Sequence, residues 1–87
     1  MTNTNIIPNN LLAHRKRVGL LQSDVAKALG LDCINRISRW ENGIAMPSVE
    51  NLFKLARLYG VKPEKLYEEV FSASGIADGN TLIGKSV

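Results

Sequence analysis

The 87-residue chain is poor in several residue types, with one cysteine, one histidine, three prolines and five aromatic side chains. A single cysteine, Cys33, rules out an internal disulfide and fits a reducing compartment. The single histidine, His14, has no second ligand at useful spacing, which argues against a metal site and for a partly packed side chain. No apolar run approaches the ~20 residues that cross a bilayer, so no membrane role is expected. The chain does not open with a basic, apolar and small-residue leader pattern, so no export is expected and the setting should be cytoplasmic. Paired carboxylates, a nucleophile with its base, a metal cluster and a glycine-rich phosphate loop are all missing, so no enzyme and no cofactor are expected. No strand alternation is convincing before residue 75, and there is no internal repeat or low-complexity tract.

What is present is 45% hydrophobic residues, enough for one small packed domain. The net charge of +3 is unevenly spread. Residues 1–40 carry Arg15, Lys16, Arg17, Lys27, Arg36 and Arg39 against Asp24 and Asp32, a net of +4 from six bases and two acids. Residues 41–87 carry five bases and six acids, a net of −1. A basic front half suits a polyanionic partner such as nucleic acid.

Gly and Pro break the chain into short amphipathic helices. Helix one is expected from Pro8 or Asn9 to Val18, helix two from Gln22 to Leu29, and helix three from Cys33 to Asn42. Helix four should run from Val49 to Tyr59 behind an N-cap at Ser48, and helix five from Pro63 to Phe71. The expected domain is therefore an all-α, compact five-helix body over residues 9–71. Residues 1–8 form a flexible N-terminus in this reading. Residues 72–87 form a tail, mobile or ordered on dimerisation. The expected core contains Leu11, Leu20, Val25, Ala26, Leu29, Leu31, Ile37, Trp40, Val61 and Leu66. Helix four would add Val49, Leu52, Phe53, Ala56 and Tyr59 to it.

Helix three, within GLDCINRISRWENG, has two unlike faces. At 100° per residue, Ile34, Ile37, Trp40 and Glu41 fall on one side. Asn35, Ser38, Arg39 and Asn42 fall within about 100° of arc on the other, with Arg36 at the flank. The first set anchors a helix to a body. The second carries side chains that pair with base edges: Asn with adenine, Arg with guanine and Ser with either. Helix two, a short turn holding Gly30, and helix three together have helix-turn-helix spacing.

From Gly19 to Tyr67 the sequence GLLQSDVAKALGLDCINRISRWENGIAMPSVENLFKLARLYGVKPEKLY resembles the phage-repressor, Cro-type helix-turn-helix family, also called the xenobiotic-response-element family. The resemblance covers about residues 10–70. Its marks are Gln22 opening helix two, Ala26 within it, Gly30 in the turn, ISRWENG, and PSVENLFKLARLYGV. It implies a five-helix bundle that binds double-stranded operator DNA, usually as a homodimer, to regulate transcription. It further implies that Asn35, Ser38 and Arg39 face bases. Gln22 would contact phosphate and brace helix three, and Asn42 would contact the DNA backbone. Arg15 and Glu41 match a basic–acidic pair bridging helix one and the end of helix three, and Ile37 and Trp40 match core positions. Arg17, Lys16, Lys27 and Arg36 are phosphate candidates without matched roles.

Two departures from the family stand out. Leu21 occupies the usual Ser/Thr cap position before helix two, at a cost of up to about 1 kcal/mol. The distance from Gly30 to Trp40 is also one residue longer than usual. Asp32 is expected to cap helix three, with the extra residue in its first turn; the alternative is a bulged turn with a later helix start. Candidate dimer contacts are Tyr67, Val70 and Phe71, with Ile44 and Met46; Ile76, Leu82, Ile83 and Val87 of the tail could add an arm. Two other functions share this fold. One is the antitoxin of a toxin–antitoxin pair, which regulates its own promoter and holds a toxin. The other is a protein–protein adaptor that does not bind DNA. A protein partner such as a toxin or an antirepressor is therefore a further candidate.

Overall fold

A computed structural model describes residues 6–73. It contains α1 Leu11–Arg17, α2 Gln22–Leu29, α3 Asn35–Glu41, α4 Val49–Tyr59, α5 Pro63–Leu66 and α6 Glu68–Ala73. The all-helical architecture is as expected, with six helices in place of five. Among the described residues there is no strand, and no helix is long and apolar enough to cross a membrane.

The best-marked helices begin and end where their local chemistry dictates. Ser48 Oγ accepts the Asn51 N–H at 3.2 Å and opens α4. At the end of α2, Gly30 adopts φ +77°, a left-handed conformation that glycine enters without a Cβ penalty. The chain can then reverse so that the Leu31 N–H reaches Ala26 O at 2.8 Å. The same six-to-one closure ends α1 (Leu20 to Arg15), α3 (Ile44 to Arg39) and α4 (Val61 to Ala56). At α1, α2 and α4 the closure turns the apolar residue after the helix toward the core, where Leu20, Leu31 and Val61 are half-buried, whereas Ile44 after α3 stays 58% exposed. Leu21 is indeed a poor cap, but Asp24 compensates by accepting the Leu21 N–H at 2.8 Å. That is the acidic half of a capping box.

Elsewhere the elements differ from expectation. α1 begins at Leu11 because Asn9 and Asn10 are engaged outside the helix. The Asn10 N–H donates to Leu66 O at 2.9 Å, and its side-chain amide donates to Lys65 O at 3.0 Å. The expected fifth helix breaks at Tyr67, at φ −135° and ψ 51°. The break lets the consecutive Leu66 and Tyr67 both enter the core, which a continuous helix would hold 100° apart. Tyr67, expected among the dimer contacts, is thus a core residue of the single chain, only 4% exposed. Its hydroxyl is buried without a hydrogen-bond partner.

The core comprises Leu11, Val25, Ala26, Leu29, Ile37, Trp40, Leu55, Ala56, Tyr59, Leu66 and Tyr67. On α4 the buried face is rotated from the expected one. Leu55 is buried, Leu52 is half-buried, and Val49 and Phe53 are 68% and 56% exposed. Of the expected flexible N-terminus, residues 1–5 lie outside the described region. Ile7, which is described, packs against the core and donates its N–H to Gly43 O at 2.9 Å. The tail candidates Ile76, Leu82, Ile83 and Val87 also lie outside the described residues.

Candidate nucleic-acid interface

α2, its turn and α3 form the helix-turn-helix unit. The turn is longer than expected. Ile34, not Asp32, occupies the cap position before α3, and no side chain caps that end. The first ladder bond of α3 runs from the Ser38 N–H to Ile34 O at 2.9 Å. With Leu31 drawn inward after Gly30, Asp32, Cys33 and Ile34 bridge the gap to the first turn of α3. The extra residue therefore lengthens the turn, Cys33 precedes the helix, and both Asp32 and Cys33 are exposed.

Within α3, Ile37 and Trp40 are 1% and 4% exposed, so the tryptophan serves the core. Ile34, expected on the same anchoring side, remains 40% exposed because it precedes the helix. On the opposite side Asn35, Arg39 and Asn42 are exposed and Ser38 is half-buried. The Asn42 side-chain amide lies 3.3 Å from Ser38 Oγ, joining two members of that face one turn apart. Arg36 is exposed at the flank.

A buried polar cluster holds the other side. Arg15 Nε donates to Glu41 Oε2 at 2.6 Å and Arg15 Nη2 to Glu41 Oε1 at 3.1 Å. These side chains are only 11% and 5% exposed. The remaining prong, Nη1, donates to Leu20 O at 2.9 Å. Gln22 Nε2 donates to Glu41 Oε1 at 3.0 Å. The two-pronged geometry suits guanidinium and carboxylate, and satisfying the other donors offsets the desolvation of both charges. The hydrogen bond to Glu41 raises the Arg15 pKa above its ordinary value, against the opposing effect of burial. Tyr59 is pushed up to about 12, first by burial and then by the charge of Glu41. The expected Arg15–Glu41 bridge is therefore present, and Gln22 braces α3 through the same carboxylate.

The cationic candidates separate. Lys16, Lys27 and Arg36 are exposed. Arg17 has a structural partner: its Nη2 donates to Tyr59 O at 2.7 Å, closing the end of α4. Arg17 is itself exposed, so this bond ties a solvent-facing guanidinium to α4 in the DNA-free chain. Arg36 and Arg39 also line a groove of about 280 Å³ with Trp40, Ala45, Met46, Ser48 and Asn51. This sets two cations beside the N-terminal turn of the 11-residue α4, whose dipole adds positive potential. Asn51 was not identified from the sequence; the Ser48 cap was the available signal that a helix N-terminus lay near α3.

A helix-turn-helix family model matches residues 11–66. No curated protein and no solved structure matches the chain. The matched stretch runs from the start of α1 to the end of α5 and includes every helix around the polar cluster. The chain belongs to the Cro-type helix-turn-helix family, a family of DNA-binding transcriptional regulators.

Proposed function

We propose that the chain is a sequence-specific operator-binding protein, most simply a repressor, that works as a homodimer with α3 in the major groove. The observation that supports this is the division of α3. Ile37, Trp40 and Glu41 are fixed to the body, while Asn35, Ser38 and Arg39 form a polar face able to bond base edges. Arg36, Lys27 and Asn42 are the proposed backbone contacts, joined by the N-terminal turn of α2 at Gln22, where a helix end favours phosphate. A dimer would set two copies of α3 about 34 Å apart on one side of the duplex. Ile44 and Met46, exposed at 58% and 46%, are retained as its contacts, with Val70 and Phe71.

A protein partner such as a toxin or an antirepressor is a second reading, favoured by the exposed Val49 and Phe53 one turn apart on α4. The deciding experiment is selection of bound sequences from a random DNA pool at fixed salt, with the natural chain and with Arg39→Ala. An enriched palindrome that blurs at one base pair in the variant supports base reading, at about 1–3 kcal/mol per lost contact. Salt-sensitive binding without enrichment, equal in both proteins, overturns it.

A further inference from the structure

We infer that Asn9, outside the helix-turn-helix unit, is a positioning residue for DNA reading that fixes the pose of α3 from its C-terminal end. The inference rests on the proposed role of α3 in the groove.

The side chain of Asn9 joins two helices. Its Oδ1 accepts the Leu11 N–H at 3.0 Å, at the start of α1. Its Nδ2 donates to Trp40 O at 3.1 Å and lies 3.4 Å from Glu41 O, both in the last turn of α3. A third approach, to Ile7 O at 3.1 Å, folds its own segment back on itself. Thirty-one residues separate Asn9 from Trp40, so this is a tertiary clamp and not a local turn. The segment is seated beside it: the Ile7 N–H donates to Gly43 O at 2.9 Å, and Gly43 leaves only the space of a hydrogen where a Cβ would lie 2.6 Å from Ile7 O.

The two ends of α3 are held unequally. No side chain caps its N-terminal end at Ile34. Its C-terminal end carries the Glu41 bonds to Arg15 and Gln22 as well as the Asn9 clamp. A seven-residue helix is about 10 Å long, so a tilt of ~10° about the clamped end displaces its first residue by nearly 2 Å. Hydrogen bonds to base edges do not survive that displacement, whereas attraction to phosphates is long-ranged and does. Loosening the Asn9 clamp should therefore lower discrimination between sequences more than overall attachment to DNA.

Two variants of the full chain test this. Asn9→Asp keeps the acceptor for Leu11 but sets a carboxylate against the α3 carbonyls. Asn9→Ser keeps a short acceptor near Leu11 and is too short to reach α3; it serves if the aspartate variant does not fold. Binding is measured to the duplex enriched by the natural chain and to a scrambled duplex of equal length and salt. A loss of about 5- to 100-fold on the enriched duplex, with less than about a threefold change on the scrambled one, is expected. An unchanged ratio in folded variants overturns the inference but leaves the DNA-reading proposal intact; no enriched duplex with the natural chain overturns the latter. Without DNA, the Asn42, Gly43 and Ile44 amides should exchange at least about tenfold faster in the variants, with the α4 amides unaltered. Equal protection in both helices overturns the clamp itself.

Discussion

Glu41, the last residue of α3, and Arg15, in α1, meet through two bonds of 2.6 and 3.1 Å with both side chains nearly out of solvent. Desolvating two charges is costly, so the pair is better described as a register device than as a source of stability. Glu41→Gln should leave the Arg15 charge buried without its counter-ion, at a cost of about 3–5 kcal/mol in denaturant unfolding. Replacing both, with Arg15→Met and Glu41→Leu, should recover most of that loss. A single change costing under about 1 kcal/mol would place the pair in the surface class.

The two tyrosines provide a test of pH dependence. Tyr59 and Tyr67 are both raised from 10.0 to about 12, chiefly by burial. In the unfolded chain the phenols ionise near 10, while in the folded chain they keep their protons to about 12. The folded state therefore binds more protons in that window, so stability is fully present below pH 10 and is lost as pH rises toward 12. Because the chain has only these two tyrosines, phenolate absorbance reports them without background. The native transition should lie well above the one in urea. A component near 10 under native conditions would show that one ring is solvated.

α4 yields a paired test. Leu55 is 1% exposed and Phe53 is 56% exposed. Leu55→Ala should cost about 2–5 kcal/mol, and Phe53→Ala should stay within about 0.5 kcal/mol. A Phe53→Ala cost as large as that of Leu55→Ala would restore the face that the sequence suggested, with Phe53 buried.

That pair also marks what the sequence could and could not reveal. α2 and α4 were legible to the residue because Gly30, Ser48 and Gly60 punctuate them. The buried side of α4 was not, because VENLFKLARLY carries two overlapping stripes at helical spacing and only the neighbouring helices choose between them. The start of α3 is open to two readings in the sequence because Asp32 is a good cap in isolation; the inward turn of Leu31, from which the chain must first recover, selects the longer turn and later start. The break at Tyr67 carries no Gly or Pro signal; it arises from two adjacent side chains competing for one core. In the candidate site, the Arg15–Glu41 pair was legible because a carboxylate on an apolar face requires a partner. Asn9 was not, since nothing local distinguishes a clamping amide from a solvated one in a polar stretch.

Two glycines should respond differently to alanine. Gly30 has φ +77° and nothing within 4 Å of a Cβ, so Gly30→Ala should cost only the left-handed strain, about 1–2 kcal/mol. Gly43 has φ +75° and a Cβ there would also meet Ile7 O at 2.6 Å, so Gly43→Ala must displace the N-terminal segment as well. It should unfold at distinctly lower denaturant than Gly30→Ala. Equal midpoints would mean that the segment yields freely at no cost.

The proposed phosphate contacts separate by salt dependence. Each phosphate neutralised by a cation steepens the fall of log affinity with log salt by about 0.9. Arg36 is exposed beside α3, so Arg36→Ala should shallow that slope by about 1 on both the enriched and the scrambled duplex. Arg17 instead donates to the last carbonyl of α4 at 2.7 Å. Arg17→Ala should therefore leave the slope unchanged and lower stability by about 1 kcal/mol, the usual worth of one such bond. Affinity measured over a salt series for both variants decides the matter. A slope lowered by Arg17→Ala as much as by Arg36→Ala would return Arg17 to the DNA interface and make its bond to Tyr59 a resting position that the guanidinium leaves on binding.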